Sequence, residues 1–186
     1  MATRDTRERI LAACEEVVLS AGVARLTLDS AAERAGLSRS GVLYHFPSRP
    51  ALVSAMVARL ADRFDEMLAA QRAAGPPEPG THVRAYVQDT FSPADAEQAQ
   101  RGQRLGGAVL AAMASEPELL APLREAFARW QTEIESDAAD PVRATLARLA
   151  TDGLWLTELF GFAPLDPDLR RRVREELLRM VDRHPS

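Results

Sequence analysis

The side chains best suited to molecular recognition in this sequence lie in one short segment near the N-terminus. From Gly36 to Phe46 the segment reads GLSRSGVLYHF, with an arginine, two serines, a tyrosine and a histidine but no carboxylate. A guanidinium can bind guanine acceptors or a phosphate, and hydroxyl and imidazole groups can donate hydrogen bonds to phosphate oxygens. These residue types therefore favour contact with a nucleic acid, although the whole chain has a formal net charge of −4.

Two short helices are predicted to position this segment. Thr27 can accept hydrogen bonds at the N-terminus of a helix over residues 28–35, which Gly36 then ends. Ser38 can cap a second helix, over about residues 39–45. Two helices joined by a short glycine-containing turn are typical of a helix-turn-helix, whose second helix fits the major groove of B-DNA, about 12 Å wide.

The outward side of the second helix and the neighbouring helix starts supply the candidate DNA contacts. Gly41 removes bulk, Arg39 can reach guanine or phosphate, and Tyr44 is better placed for phosphate oxygens. Leu43 either meets a thymine methyl group or packs inward, and the sequence leaves both open. The predicted DNA-binding residues are Thr27, Ser38, Arg39, Ser40, Gly41, Leu43, Tyr44, His45 and Arg49.

Other functions stay open at this point, because helix-turn-helix shapes also occur in all-α proteins that bind no DNA. Residues 1–50 carry a formal charge of +1 and the remainder −5, so the better surface for a polyanion lies at the N-terminus. The alternatives are a ligand-binding or protein-interaction dimer without DNA binding, and a helical enzyme. The sequence contains no catalytic motif, nucleotide-binding glycine run or metal-ligand spacing, so we expect no enzyme activity, cofactor or metal.

The cellular compartment is predicted from what the sequence lacks. Cys14 is the single cysteine, which excludes an internal disulfide. No charged start followed by an apolar stretch indicates a signal peptide, and no apolar run approaches the ~18 residues of a membrane span. We expect a cytoplasmic protein without a membrane segment.

The rest of the chain is predicted to be helical, which makes the protein all-α with about nine helices. Apolar residues recur at helical spacing, and no sustained period-2 alternation indicates a strand. An Asp5–Glu8 capping box predicts the first helix start, and Gly22 its end. Ser48 can cap the fourth helix. The remaining helices are predicted near 81–91, 94–114, 117–138, 141–162 and 167–183.

The N-terminal string resembles the tetracycline-repressor (TetR) family of bacterial transcription regulators. The similarity covers about residues 5–55 and departs from the family pattern at Leu43, Arg49 and Pro50, where many members have tyrosine, lysine and a carboxylate. The residues that carry it are Thr27, Ala35-Gly36-Leu37-Ser38, Gly41, Tyr44-His45-Phe46 and Ser48-Arg49-Pro50-Ala51-Leu52.

The resemblance implies a helix-turn-helix DNA-binding domain at 1–48 and a larger ligand-binding and dimerisation domain at 49–186. It further implies a homodimer, more often a repressor, that binds a palindromic operator and is released by a small-molecule effector. The last two helices are the predicted dimer surface, as two helices from each subunit would form a four-helix bundle. Their marker residues are Val142, Leu146, Leu149, Leu154 and Leu156, then Leu169, Val173, Leu177, Met180 and Val181.

The effector pocket is expected among the fourth to eighth helices, where several apolar faces carry aromatic residues. Most of these residues will be ordinary core, and a few polar groups among them can orient a ligand. The candidates are Gln103, Leu110, Met113, Phe127, Trp130, Trp155 and Glu158, together with Gln131.

Overall fold

The computed structural model describes residues 2–75, 78–91, 105–107 and 117–182, and every regular element in these ranges is helical. The α-helices, numbered here in chain order, are α1 (Ala2–Ala21), α2 (Leu28–Ala35), α3 (Arg39–His45), α4 (Arg49–Ala73), α5 (Thr81–Phe91), α6 (Ala121–Asp137), α7 (Pro141–Phe160) and α8 (Pro167–Asp182). Short 3₁₀ turns lie at Val23–Arg25 and Pro117–Leu120. Residues 105–107 are also helical and belong to the helix predicted over 94–114, so the all-α prediction with about nine helices is confirmed within the described ranges.

Local capping explains most helix boundaries. Ser38 Oγ accepts the Gly41 N–H at 3.1 Å, and Ser48 Oγ accepts the Ala51 N–H at 3.3 Å. Asp140 caps α7 through the N–H groups of Val142 and Arg143. The Asp5 capping box is wrong, because α1 already begins at Ala2 and Asp5 lies within its first turn, where a carboxylate is favoured by the helix dipole.

The first of two compact units comprises residues 1–61 and 97–124. Its core packs the inner faces of α1 to α3 against the first half of α4, with Ile10, Val42 and Met56 fully buried. Leu105 and Leu119, from much later in the chain, join the same core. The core beneath the helix-turn-helix therefore includes residues from a distant part of the chain. The predicted boundary between a DNA-binding domain and a C-terminal domain after residue 48 stays a prediction.

The second compact unit comprises residues 62–96 and 125–186. Its buried residues come from the second half of α4 and from α5 to α8, with Val83, Ile134 and Thr151 among those with almost no exposed surface. Arg170 of α8 closes the C-terminal end of α5 by donating to the carbonyls of Phe91 and Thr90 at 3.0 and 3.2 Å. No helix in the described part of the chain combines the length and the apolar character needed to cross a membrane.

Candidate nucleic-acid interface and effector region

The turn between α2 and α3 is fixed by backbone geometry. Gly36 has a left-handed conformation, with φ of 63°, which favours glycine. The Leu37 N–H donates to the Ala32 carbonyl at 2.9 Å, and this bond closes the end of α2. Ala31 and Val42 are both 0% exposed where the two helices pack. The predicted helix-turn-helix is present, and its interior is fully packed.

The outward side of α3 matches the surface expected from the sequence. Tyr44 is 79% exposed, and its hydroxyl has no hydrogen-bond partner within the described chain. Arg39 and Ser40 are exposed, whereas His45 is half-buried and its ring meets the edge of Tyr44 at 5.1 Å. Leu43 is 38% exposed, so it does not pack inward in this structure. A row of polar side chains with one apolar neighbour is thus presented to solvent.

The N-terminal end of α3 is ordered by its own side chains. Besides capping Gly41, the Ser38 hydroxyl lies 3.0 Å from the Ser40 hydroxyl. A Cβ placed on Gly41 would lie 3.3 Å from Ser38 Oγ, a tight contact. The glycine therefore has a local packing reason in addition to the close DNA approach that the sequence analysis assigned to it.

Arg39 has an acidic neighbour that the sequence analysis did not single out. Its Nη1 lies 3.3 Å from Oδ2 of Asp29, a residue in the first turn of α2, and both side chains are largely exposed. Exposed ion pairs of this kind are weak and screened by salt. Asp29 can therefore hold the guanidinium in place without preventing its transfer to a phosphate or a guanine.

Thr27 and Arg49 both have structural roles next to this surface. Thr27 Oγ1 accepts the Ser30 N–H at 3.0 Å, and Ser30 Oγ accepts the Thr27 N–H at 2.9 Å, a reciprocal capping box. Arg49 Nε donates to the Leu26 carbonyl at 2.9 Å, and its Nη2 donates to the Val23 carbonyl at 3.3 Å. Arg49 thus anchors the segment before α2 to the start of α4, and its contact with phosphate stays a prediction.

Phe127 and Trp130, two of the predicted effector residues, contact each other in a group of aromatic side chains. We call this group, Phe64, Tyr86, Phe127 and Trp130, the aromatic cluster. The Trp130 ring centroid lies 4.8 Å from that of Phe64, 5.0 Å from Phe127 and 6.0 Å from Tyr86. Trp130 Nε1 donates to Asp65 Oδ1 at 2.5 Å, and Asp65 also pairs with Arg129. The sequence analysis did not single out Phe64 for the effector region, because the apolar spacing along α4 does not indicate which aromatic residues elsewhere in the chain it contacts.

The aromatic cluster is closely packed in this conformation. The cavity beside it has a volume of about 10 Å³, close to the smallest space that can hold one water molecule. Its lining residues are Leu68, Arg72, His82, Tyr86, Trp130, Glu133 and Ile134. An effector that binds here has to separate side chains that are now in contact.

A hydrogen-bonded network lies next to the cluster. Tyr86 donates to Asp152 Oδ1 at 2.6 Å, and Arg148 pairs with Asp152 Oδ2 at 2.5 Å. Burial raises the pKa of Asp152, and hydrogen bonding from Tyr86 and the charge of Arg148 oppose that rise. Burial, then the Asp152 carboxylate, raises the pKa of Tyr86 well above its ordinary value, so the phenol stays a neutral donor. Gln131 is hydrogen-bonded to Arg148 and Thr145, and its role as a ligand group stays a prediction.

The other effector candidates are not brought to this cluster by any described contact. Glu158 pairs with Arg170 at 2.6 Å and so links α7 to α8. Trp155 is half-buried on α7. Gln103, Leu110 and Met113 lie outside the described residues. The ligand roles of all these residues stay predictions.

Known proteins resemble both parts of the chain. The family model described as "Bacterial regulatory proteins, tetR family" matches residues 10–56, and "Tetracyclin repressor-like, C-terminal domain" matches residues 80–182. The HTH-type transcriptional regulator TtgR of Pseudomonas putida is 30% identical over 89 residues. That match covers 48% of this chain and 42% of TtgR, so it spans less than half of the relative.

Solved structures extend the similarity over nearly the whole chain. The structure of the transcriptional regulator SCO7518 from Streptomyces coelicolor A3(2) matches with a TM-score of 0.73 at 23% identity, covering 96% of this chain and 99% of that one, and shares the fold. The multidrug binding protein EbrR, complexed with imidazole, matches with a TM-score of 0.66 at 25% identity, covering 97% and 96%. With its N-terminal and C-terminal parts matched by the corresponding family models, the chain belongs to the TetR family of bacterial transcription regulators.

Proposed function

We propose that the protein is a ligand-responsive transcriptional repressor that binds a palindromic DNA operator as a homodimer. The observation that carries the proposal is the outward side of α3, where Arg39, Ser40 and Tyr44 face solvent on a capped and fully packed helix-turn-helix. In this proposal residues 1–48 are the DNA-binding domain, and residues 49–186 bind the effector and form the dimer.

The DNA contacts divide into two kinds. Arg39, near the start of α3 and not held by a strong ion pair, reads a base edge in the major groove. Tyr44 and His45, at the other end of α3, bind phosphate oxygens, as does Thr27 at the start of α2. Phosphate contacts set the position of the helix, and the base contact supplies specificity.

Dimerisation is proposed to use the last two helices, α7 and α8. Val142, Leu146 and Leu149 of α7 are 70%, 52% and 51% exposed, which is unusual for large apolar side chains on one helix. Leu154 and Leu177 are buried within their own chain, so these two marker residues support the protomer core instead. Two-fold symmetry then presents two α3 helices to half-sites about 34–36 Å apart, or a multiple of that spacing.

The effector is proposed to bind at the aromatic cluster. The EbrR structures contain imidazole, ethidium or malachite green, so a protein of similar fold accepts aromatic compounds. An aromatic effector that separates Phe64 from Trp130 would displace α4, whose first half belongs to the same compact unit as the helix-turn-helix. Such a ligand weakens DNA binding only if it favours the DNA-incompetent conformation.

The test is a titration of fluorescent duplexes, including the promoter region upstream of the protein's own gene, at two salt concentrations. We expect binding that weakens steeply with salt, because phosphate contacts release counterions. Arg39→Ala should change the order of preference within a panel of operators. A uniform loss across the panel would show that Arg39 does not read bases, and no binding at low salt would favour the alternative of a dimer without DNA binding.

A further inference from the structure

The exposed residues of α7 carry no charge, and the half-buried Arg143 beside them pairs with Asp140. Every α7 residue that is exposed in the structure is proline, alanine, glycine, valine, leucine or phenylalanine, over 20 residues of helix. Along this side the residues Val142, Leu146, Leu149, Gly153, Leu156 and Phe160 follow one another in alternating steps of four and three. That spacing forms a single apolar seam of the kind that packs against another helix. We call it the α7 seam.

Gly153 interrupts the α7 seam at its centre. Glycine is the poorest helix former apart from proline, so its presence in the middle of a helix needs a reason. A Cβ built on Gly153 meets no atom within 4 Å apart from its chain neighbours and its own helix backbone. The protomer itself therefore has room for a larger residue at this position, and the reason for glycine lies outside it.

The two ends of the α7 seam have different surfaces, a depression at one end and two exposed aromatic rings at the other. At the N-terminal end, Val142 and Leu146 line a shallow depression of about 420 Å³ with Glu135, Pro141 and Thr145. At the C-terminal end, Phe160 and Phe162 stack with centroids 5.5 Å apart and are 41% and 61% exposed. Leu146 and Phe160 are each seven residues from Gly153, about 10 Å along the helix axis in opposite directions.

We propose that Gly153 is the point of closest approach between α7 and the α7 of a second copy of this chain. A two-fold axis beside Gly153 places the stacked phenylalanines of each copy over the depression of the other, so both contacts form at once. This inference rests on the proposed homodimer and places the centre of the dimer interface on α7. The exposed side of α8 carries the ion pairs Arg171–Asp168, Arg171–Glu175 and Arg179–Glu176, which suit the rim of an interface better than its centre.

The first test measures the dimer dissociation constant by sedimentation at a series of protein concentrations. If a side chain at position 153 intrudes between the helices, Gly153→Ala should raise the dissociation constant about tenfold and Gly153→Leu about 100-fold or more. The matched control is Ala69→Leu, which enlarges an exposed residue of α4 and should change the constant less than twofold. Circular dichroism verifies that each variant stays helical. If Gly153→Leu does not fold, the dissociation constant of Gly153→Ala decides the test.

The second test uses disulfide formation to report the distance between the two copies of residue 153. Two cysteines can join only when their Cα atoms are about 4.4–6.8 Å apart, a distance that side chains larger than glycine rarely allow between helices. Gly153→Cys should therefore form a covalent dimer on mild oxidation, whereas Ala69→Cys should not. The native Cys14 contributes little background, because it is buried and its pKa is raised to about 12.

The outcomes separate this inference from the proposed function. A wild-type dimer whose dissociation is unchanged by Gly153→Ala and Gly153→Leu, and whose Gly153→Cys variant does not crosslink, would overturn the role of Gly153 and leave the homodimer in place. A wild-type protein that is monomeric at every concentration would overturn both. Weaker dimerisation of Gly153→Ala and Gly153→Leu, together with efficient crosslinking of Gly153→Cys, supports the proposal.

Discussion

Replacing Tyr44 by phenylalanine isolates one hydroxyl group on the proposed DNA-binding surface. The side chain is 79% exposed and its hydroxyl has no hydrogen-bond partner in the described part of the chain, so the folded protein gains little from it. We expect the free energy of unfolding to change by less than about 0.5 kcal/mol, as for most surface substitutions. Any effect on DNA binding is then an effect on the contact itself.

The expected loss of affinity follows from the symmetry of the dimer. One hydrogen bond to a charged phosphate contributes at least about 1.5 kcal/mol, and a homodimer makes two, so the total is at least about 3 kcal/mol. Since 1.4 kcal/mol corresponds to a factor of ten, the dissociation constant should rise about 100-fold or more. The loss should be the same for operator and non-operator duplexes, because phosphates carry no sequence information.

The assay is fluorescence anisotropy with an operator and a scrambled duplex, with Tyr86→Phe as the matched control. Tyr86 is the only other tyrosine, and its hydroxyl is bonded to the partly buried Asp152. Tyr86→Phe should lower the free energy of unfolding by about 1–3 kcal/mol and leave the DNA affinity of the folded protein unchanged. The reasoning is refuted if Tyr44→Phe weakens operator binding alone, or if it destabilises the fold as Tyr86→Phe does.

Two further predictions concern stability. Thr27→Ala removes the capping box of α2 and should cost about 0.5–2 kcal/mol in chemical denaturation, whereas Thr27→Ser should retain most of the stability; equal losses for both would show that the hydroxyl does not cap the helix. Burial raises the pKa of Asp89 above 3.8, so its charged form opposes folding and its contribution to stability falls as pH rises through that raised pKa. Asp89→Asn should therefore raise the melting temperature at pH 7 but not below pH 3.8, and an equal shift at both pH values would contradict the electrostatic cause.

The parts of the fold that depend on local chemistry could be predicted from the sequence. Thr27, Gly36 and Ser38 end or begin helices through bonds that reach no more than five residues along the chain, so their residue types were sufficient evidence. Long-range contacts could not be predicted in this way. Leu105 and Leu119 pack into the core of the helix-turn-helix unit, and no periodicity within their own segments indicates that destination.

The same limit applies to the functional surfaces. Apolar residues on α7 form two stripes, and spacing alone did not separate the inward stripe that contains Leu154 from the outward stripe that contains Leu149. Arg49 stands at a family position where many members have lysine, another cation, yet its guanidinium bonds to carbonyls more than 20 residues earlier in the chain. A side chain's type gives its chemistry, but the groups that surround it decide whether that chemistry is available to a ligand.

Methylation interference at guanine N7 tests the central claim most directly, because N7 lies in the major groove. The probe is a promoter fragment that binds the wild-type protein at low ionic strength. We predict two clusters of interfering guanines, related by two-fold symmetry and separated by one helical turn or a multiple of it, about 34–36 Å per turn. Binding that N7 methylation does not affect, or no binding to any duplex at low ionic strength, would contradict the placement of α3 in the major groove.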